Sequence, residues 1–481
     1  MMALTKMGWA VAALVLQAGC ATPVLMDAVT APNLPAQWRD GSAAAREQAN
    51  NAAVTGEWWQ GFGSPELDAL VTRAGTLSLD LAAAATRVRQ AAATARQAGA
   101  ALRPSITATA DANAVRSLNG TTRSGASATS SSYGGLIDAS YEPDFSGRNR
   151  ALRDSALAAV QASDFDRDGV RLTVTSATAA AWLQAVALRE RSAIAGLNVR
   201  SAESLLALVE SRARAGAATP LELAQQRGLV ATQRRAIASL AAQVDESLTT
   251  VAQLLGQAGG VQIGVASLDS LTAPSPSAGV PSDLLLNRPD IARAEAELAA
   301  ANADVAAARA AMLPRVTLGA GVGFASDRIA SVFDNPIASL AAGLAAPIFD
   351  AGRLEAGRDL AIARREELVA SYRSAIVGAF ADVETALIAI DGAEAQSAAH
   401  AEELAQARNA LRLAESRYRA GAETSLTLLD AQRTLYAAQD TAVQLKMSRL
   451  VASVSLYKAL GGGWRTPAPM AGWRRNSAVA R

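Results

Sequence analysis

Glu210-Ser-Arg-Ala-Arg-Ala-Gly216-Ala-Ala-Thr219-Pro-Leu221 returns 205 residues later as Glu415-Ser-Arg-Tyr-Arg-Ala-Gly421-Ala-Glu-Thr424-Ser-Leu426. In both copies a long Pro-free stretch ends at Ala-Gly-Ala, where glycine stops one helix, and a shorter helical stretch follows. The two shorter stretches end in Leu255-Gly256 and Leu460-Gly461, again 205 apart. A match at one fixed offset marks a tandem duplication, and here it spans about two hundred residues per unit.

Reading outward from each tip gives the rest of the unit. Upstream, 150–215 and 354–420 contain no Pro and few Gly, so each predicts a helix of roughly 100 Å at 1.5 Å per residue. Leu404, Ala407, Leu411, Ala414 and Tyr418 recur at heptad spacing, as do Ile237, Leu240, Val244, Val251 and Leu254, which predicts coiled-coil-like packing between neighbouring helices. Before each long helix lie two stretches with strict period two. Ile106, Ala108, Ala110 and Ala112 oppose Thr107, Thr109, Asp111 and Asn113; Val316, Leu318, Ala320, Val322 and Phe324 oppose Thr317 and three glycines. The returning strands carry Tyr133, Ile137, Ala139 and Tyr141 in one unit and Leu340, Ala342, Leu344 and Ala346 in the other. Earlier still, 79–103 and 291–313 predict helices stopped by Pro104 and Pro314. Each unit therefore reads helix, strand, strand, helix, helix.

The expected division of the chain is an export signal over 1–19, an anchor and collar segment over 20–66 and a first repeat over 67–260. A linker and collar over 261–283, a second repeat over 284–463 and a tail over 464–481 complete it. The hairpins fall near 104–145 and 314–350, and the helical tips near 215–220 and 420–425. Lys6, the short apolar run from Met7 and the small residues before Cys20 have the form of a secretory signal. Cys20 is the chain's one cysteine, which excludes an internal disulfide. Its position just after the apolar run predicts lipidation; the alternative is a free thiol beside an ordinary cleavage site.

Composition narrows the function. With 45 basic and 44 acidic residues the net charge is +1, so no electrostatic footprint for nucleic acid exists. No phosphate loop, zinc-ligand spacing or nucleophile elbow is present, and the single histidine, His400, sits in a charged helical context. The expectation is a protein that is not an enzyme and needs no metal or cofactor beyond a covalent lipid on Cys20. Past the signal no uncharged stretch could span a bilayer as a helix. The strands are long enough to cross one, yet four strands cannot close a barrel and open edges are forbidden in lipid. Copies must share the barrel, and three would supply twelve strands with the long helices forming a tube beneath. A soluble coiled-coil protein with incidental hairpins would leave both the export signal and the duplicated hairpins unexplained.

Several segments resemble one known family. Trp58-Trp59, Phe62, Pro65 and Leu67 resemble the N-terminal signature of the TolC-like outer membrane factors, in their lipoprotein branch typified by OprM and NodT. Asn287-Arg288-Pro289-Asp290-Ile291, Pro347-Ile348-Phe349-Asp350-Ala351-Gly352-Arg353, the Tyr418 to Arg433 segment and Ala459-Leu460-Gly461 are similar to further motifs of that branch, in the same order. The resemblance implies a mainly α protein with membrane β, a homotrimer with a twelve-stranded barrel in the outer membrane and a periplasmic α-helical barrel. It implies docking on a periplasmic adaptor through tips that include Gly216, Thr219, Gly421 and Thr424, and coupling to an inner-membrane RND pump. The implied function is the passive exit duct of a tripartite efflux system, with a type I protein-secretion duct as the alternative. Residues matching the family's tip constriction are Glu222, Asp430 and Tyr418, whereas Thr427 replaces a family Asp and Glu423 stands where some relatives carry Arg. Three Asp430 carboxylates about a threefold axis would repel one another and attract cations. For Asp430 and Glu222 the alternative is a solvated helix face near a turn.

Overall fold

The computed structural model describes Pro32, Pro35, Trp38 and residues 56–116, 129–274 and 281–465. Cys20, the export segment and most of the first hairpin's polar loop lie outside the described residues. The helices longer than three turns are α1 (Pro65–Leu77), α2 (Leu79–Ala100), α3 (Arg148–Arg214), α4 (Pro220–Leu254), α5 (Pro289–Ala310), α6 (Arg353–Arg419) and α7 (Ser425–Ala459). The strands are β1 (Ser105–Arg116), β2 (Thr129–Tyr141), β3 (Arg315–Ser326) and β4 (Pro336–Ala345). The duplicated order helix, strand, strand, helix, helix is therefore the fold. It places a sheet at one end and two helical hairpins at the other.

The two long helices are 67 residues each, roughly 100 Å from end to end. A single helix of that length has no core of its own and needs partners along its whole side. Shorter helices supply them in two tiers: α2 and α5 flank α3 near the sheet, and α4 and α7 flank it toward the tips, with α6 beside α5 and α7. The lower wall thus runs α4, α3, α7, α6.

Between the tiers the short helices abut, the C-terminus of α4 meeting the start of α2 and that of α7 the start of α5. Gly256 (φ 67°) and Gly461 (φ 85°) close these junctions, and a Cβ on Gly256 would stand 2.8 Å from the Leu77 carbonyl oxygen. A Cβ on Gly461 would collide with the Asn287 carbonyl. Both the left-handed turn and the close approach require glycine. Arg288, 9% exposed, locks the second junction by donating to Ala459 O (2.9 Å), Asp290 (2.7 and 3.0 Å) and Asp382 (2.9 Å).

The largest core lies at this level. Trp58, Trp59, Phe62 and α1 pack with Trp182 of α3 and Val251 of α4. Glu66 of α1 accepts from Trp182 Nε1 (2.8 Å) and from the backbone of Gly264 (2.7 Å) and Val265 (3.2 Å), while Glu190 accepts from Leu268 N (2.7 Å). Two carboxylates therefore clamp the segment joining the repeats against α3.

Candidate functional site: the membrane sheet and the helical tips

The four strands form one antiparallel meander in the order β1-β2-β3-β4. Its register decides the chemistry of its faces. Ile106 opposes Ala139, Ala139 opposes Ala320, and Ala320 opposes Leu340; one step along, Ala108, Ile137, Val322 and Ala338 align in the same way. The apolar stripes of all four strands thus share a face, and Leu340 on it is 89% exposed. The opposite face carries Thr107, Thr109, Asp111, Asp138 and Ser339, together with Gly319, Gly321 and Gly323. Leu136 and Ile337 are apolar exceptions on that side. A sheet with one face for lipid and one for water, and with β1 and β4 each paired on one side only, is a segment of a barrel wall. Among the described residues no helix is both long and apolar enough to cross a membrane.

At the other end each hairpin turns by the same backbone device. Ala217 N donates to Arg212 O (2.8 Å) and Gly216 N to Ala213 O (3.1 Å); Ala422 N donates to Arg417 O (2.9 Å) and Gly421 N to Tyr418 O (3.0 Å). These paired bonds satisfy the last carbonyls of α3 and α6, with glycine at φ 75° and 76°. Thr219 and Thr424 then cap α4 and α7, their hydroxyls accepting from Glu222 N (3.2 Å) and Thr427 N (3.3 Å).

The carboxylates around these caps differ. Glu222 completes a capping box by accepting from Thr219 N at 2.9 Å. In the second tip, Glu423 accepts from Thr424 N (3.1 Å) and the Thr427 hydroxyl (3.1 Å) and faces Arg417 at 3.3 Å. Those hydrogen bonds, the backbone one first, hold the Glu423 carboxyl below the usual glutamate range. Asp430 lies on the exposed side of α7.

Tyr418 is 2% exposed and sits inside the tip core with Leu205, Val209, Leu411 and Leu428. Arg212 of α3 donates to Tyr418 O at 2.5 Å and holds its guanidinium 4.6 Å from the ring centroid. Among the described residues, neither the Tyr418 hydroxyl nor Arg212 Nε has a hydrogen-bond partner. Burial pushes the phenol upward, with Glu222 adding to the shift and Arg212 opposing it. Arg212 was not singled out from the sequence. Its signal is its repeat position, since Arg417 occupies the same place in the second tip.

The sequence belongs with this geometry. The family model described as outer membrane efflux protein matches residues 70–257 and again 280–462. The chain belongs to the outer membrane efflux protein family, and it is an outer-membrane efflux channel with the TolC-like fold.

Among its relatives, the pyoverdine export outer membrane protein OpmQ of Pseudomonas aeruginosa is 49% identical over 461 residues, covering 95% of this chain and 96% of OpmQ. The cation efflux system protein CusC of Escherichia coli is 30% identical, covering 85% of this chain and 88% of CusC. Among solved structures, a membrane protein from Pseudomonas aeruginosa superposes with TM-score 0.82 at 30% identity, covering 92% of this chain and all of that one (100%). A crystal structure of CusC superposes with TM-score 0.79 at 29% identity, covering 90% of this chain and 99% of that one.

Proposed function

We propose that three copies of this chain form the passive exit duct of a tripartite pump, docked through the Gly216, Thr219, Gly421 and Thr424 tips on a periplasmic adaptor and driven by an inner-membrane RND transporter. The observation that carries this reading is the four-stranded sheet with two unpaired edges. Each edge strand leaves roughly half its backbone groups unpaired, and each such group costs about 2 kcal/mol or more away from water. Pairing β4 of one copy with β1 of the next removes that cost, and twelve strands close around a lumen where eight would be filled by side chains. Rotational symmetry carries the α4 to α6 wall into a helical tube below.

The cargo reading follows the OpmQ relatives: small, oxygen-rich iron chelators of the pyoverdine kind, alongside drugs. The duct performs no chemistry on them. Cys20 carries the lipid that tethers the collar to the outer membrane, and Asp430 forms the acidic ring of the tip constriction. Glu222 and Tyr418 support that ring by fixing the caps and the tip core, which is where their contacts lie. A protein-secretion duct would share the fold, and the names of the similar efflux proteins favour small cargo.

Deleting the gene in its own bacterium is expected to lower secreted iron chelator several-fold and raise accumulation of dyes and antibiotics. Unchanged secretion of the chelator sinks the cargo reading; unchanged accumulation as well sinks the duct. Purified protein should run as a trimer and conduct ions in planar bilayers, with cation block weakened by Asp430→Ala. A stable, non-conducting monomer would end the proposal.

A further inference from the structure

A cleft of about 820 Å³ opens in the lower helical wall, where α4 and α7 lean together over α3. Its floor includes Asn198 of α3, which is 6% exposed and whose carboxamide has no hydrogen-bond partner among the described residues.

The charges lining the cleft are also unbalanced. Arg227 and Arg234 of α4 pair with Glu210 (2.9 Å) and Glu203 (2.6 Å) of α3, outside the cleft. Arg235 of α4 and Arg433 of α7 line it with no carboxylate partner among the described residues. Arg191 is held there by Asp440 at 2.6 and 3.0 Å. Three guanidinium groups thus face one carboxylate. The buried Tyr436 ring, packed with Leu229 and Leu429, gives the cleft an apolar wall between Arg433 and Asp440. A volume of this size suits a ligand of several hundred daltons. Guanidinium groups select carboxylate and other anionic oxygens through charge-assisted hydrogen bonds.

We propose that this cleft between α3, α4 and α7 is a binding station for anionic, oxygen-rich small molecules, of the carboxylate-bearing class, as they move through the duct. Arg433 and Asp440 follow Asp430 by three and ten residues on one stripe of α7, so the cleft faces the lumen when Asp430 does. The inference rests on the exit-duct reading in that respect, and its test is separable from it.

Full-length protein in detergent is titrated by calorimetry with citrate and, separately, with metal-free pyoverdine at fixed ionic strength. The expected result is saturable binding of both that competes with neither spermidine nor sodium-matched chloride. Binding weakens at least tenfold in the double variant Arg235→Ala and Arg433→Ala, whose side chains are both exposed, and several-fold in Asn198→Asp. No saturable binding of either probe, or binding unchanged in these variants, overturns the station. The gene deletion keeps the two readings apart. If the deletion leaves chelator export intact, the cargo reading falls while the citrate titration still decides the cleft. If export needs the chain yet the cleft variants bind both probes as the parent does, the station falls and the duct stands.

Discussion

The two helical tips share a backbone and differ in chemistry. Both turn through a left-handed glycine, both return the last carbonyls of the long helix to the same two amides, and both start the next helix on a threonine cap. The side chains on that frame have diverged. Position 213 is Ala where 418 is Tyr, 218 is Ala where 423 is Glu, and 222 is Glu where 427 is Thr. Each tip therefore keeps one carboxylate that feeds its cap, but Glu222 reaches back from within its helix and Glu423 reaches forward from the turn. Duplication fixed the turn because its geometry depends on φ and hydrogen bonding. It left open how the cap is charged, because either arrangement satisfies the same amide.

The divergence also makes the second tip the keystone of the first. Arg212 and Arg417 are repeat equivalents, yet Arg212 crosses to the other hairpin to cover Tyr418, whereas Arg417 stays beside its own Glu423. Replacing Tyr418 with Ala should show the largest effect, opening the tip core by about 3–5 kcal/mol as a buried aromatic is lost. Hydrogen exchange of amides on both sides of the tip reads this directly, and exchange that rises only in α6 would show the two hairpins to be independent. Tyr418→Phe should be neutral or slightly stabilising, because the hydroxyl it removes has no partner among the described residues.

Arg212→Met comes next, losing the carbonyl bond and the ring contact for about 1–3 kcal/mol. The equivalent Arg417→Met removes an exposed ion pair and should cost about 1 kcal/mol or less. Equal losses at both positions would erase the asymmetry. Thr219→Ala should loosen the start of α4 by about 1 kcal/mol, through loss of the hydroxyl acceptor. Proteolytic nicking near the turn gives a second readout of that loss.

The smallest effect is an acid titration. The folded-state value of Glu423 lies below its unfolded one, so its stabilising contribution is present above the ordinary glutamate range. It is lost as pH falls through the lower folded value. Exchange at the start of α7 should therefore quicken on the acid side, and Glu423→Gln should remove that component. A Gln variant with the parent's pH profile would assign the step to another group.

Much of this was legible beforehand, for identifiable reasons. The heptad from Leu404 to Tyr418 foretold a buried stripe, and Ala407, Leu411, Ala414 and Tyr418 are all buried. The Pro-free runs foretold two long helices, which end within one or two residues of the expected tips. The clamp of Glu66 and Glu190 on the linker was invisible, because their partners lie 198 and 78 residues away and are backbone amides without any sequence signature. The cleft around Asn198 was hidden for the same reason: α7 brings Arg433 and Asp440 to residues of α3 and α4 that lie far back along the chain.

By itself the sequence determined the duplication, the order of elements, the helix lengths and the polarity of each strand face, since periodicity and turn chemistry act over a few neighbouring residues. Only the tertiary structure decided which stripes share a face, how the short helices stack in two tiers, and that Arg212 reaches across to Tyr418. Those choices depend on register and on side chains meeting across hundreds of residues, where local pattern carries no distance information.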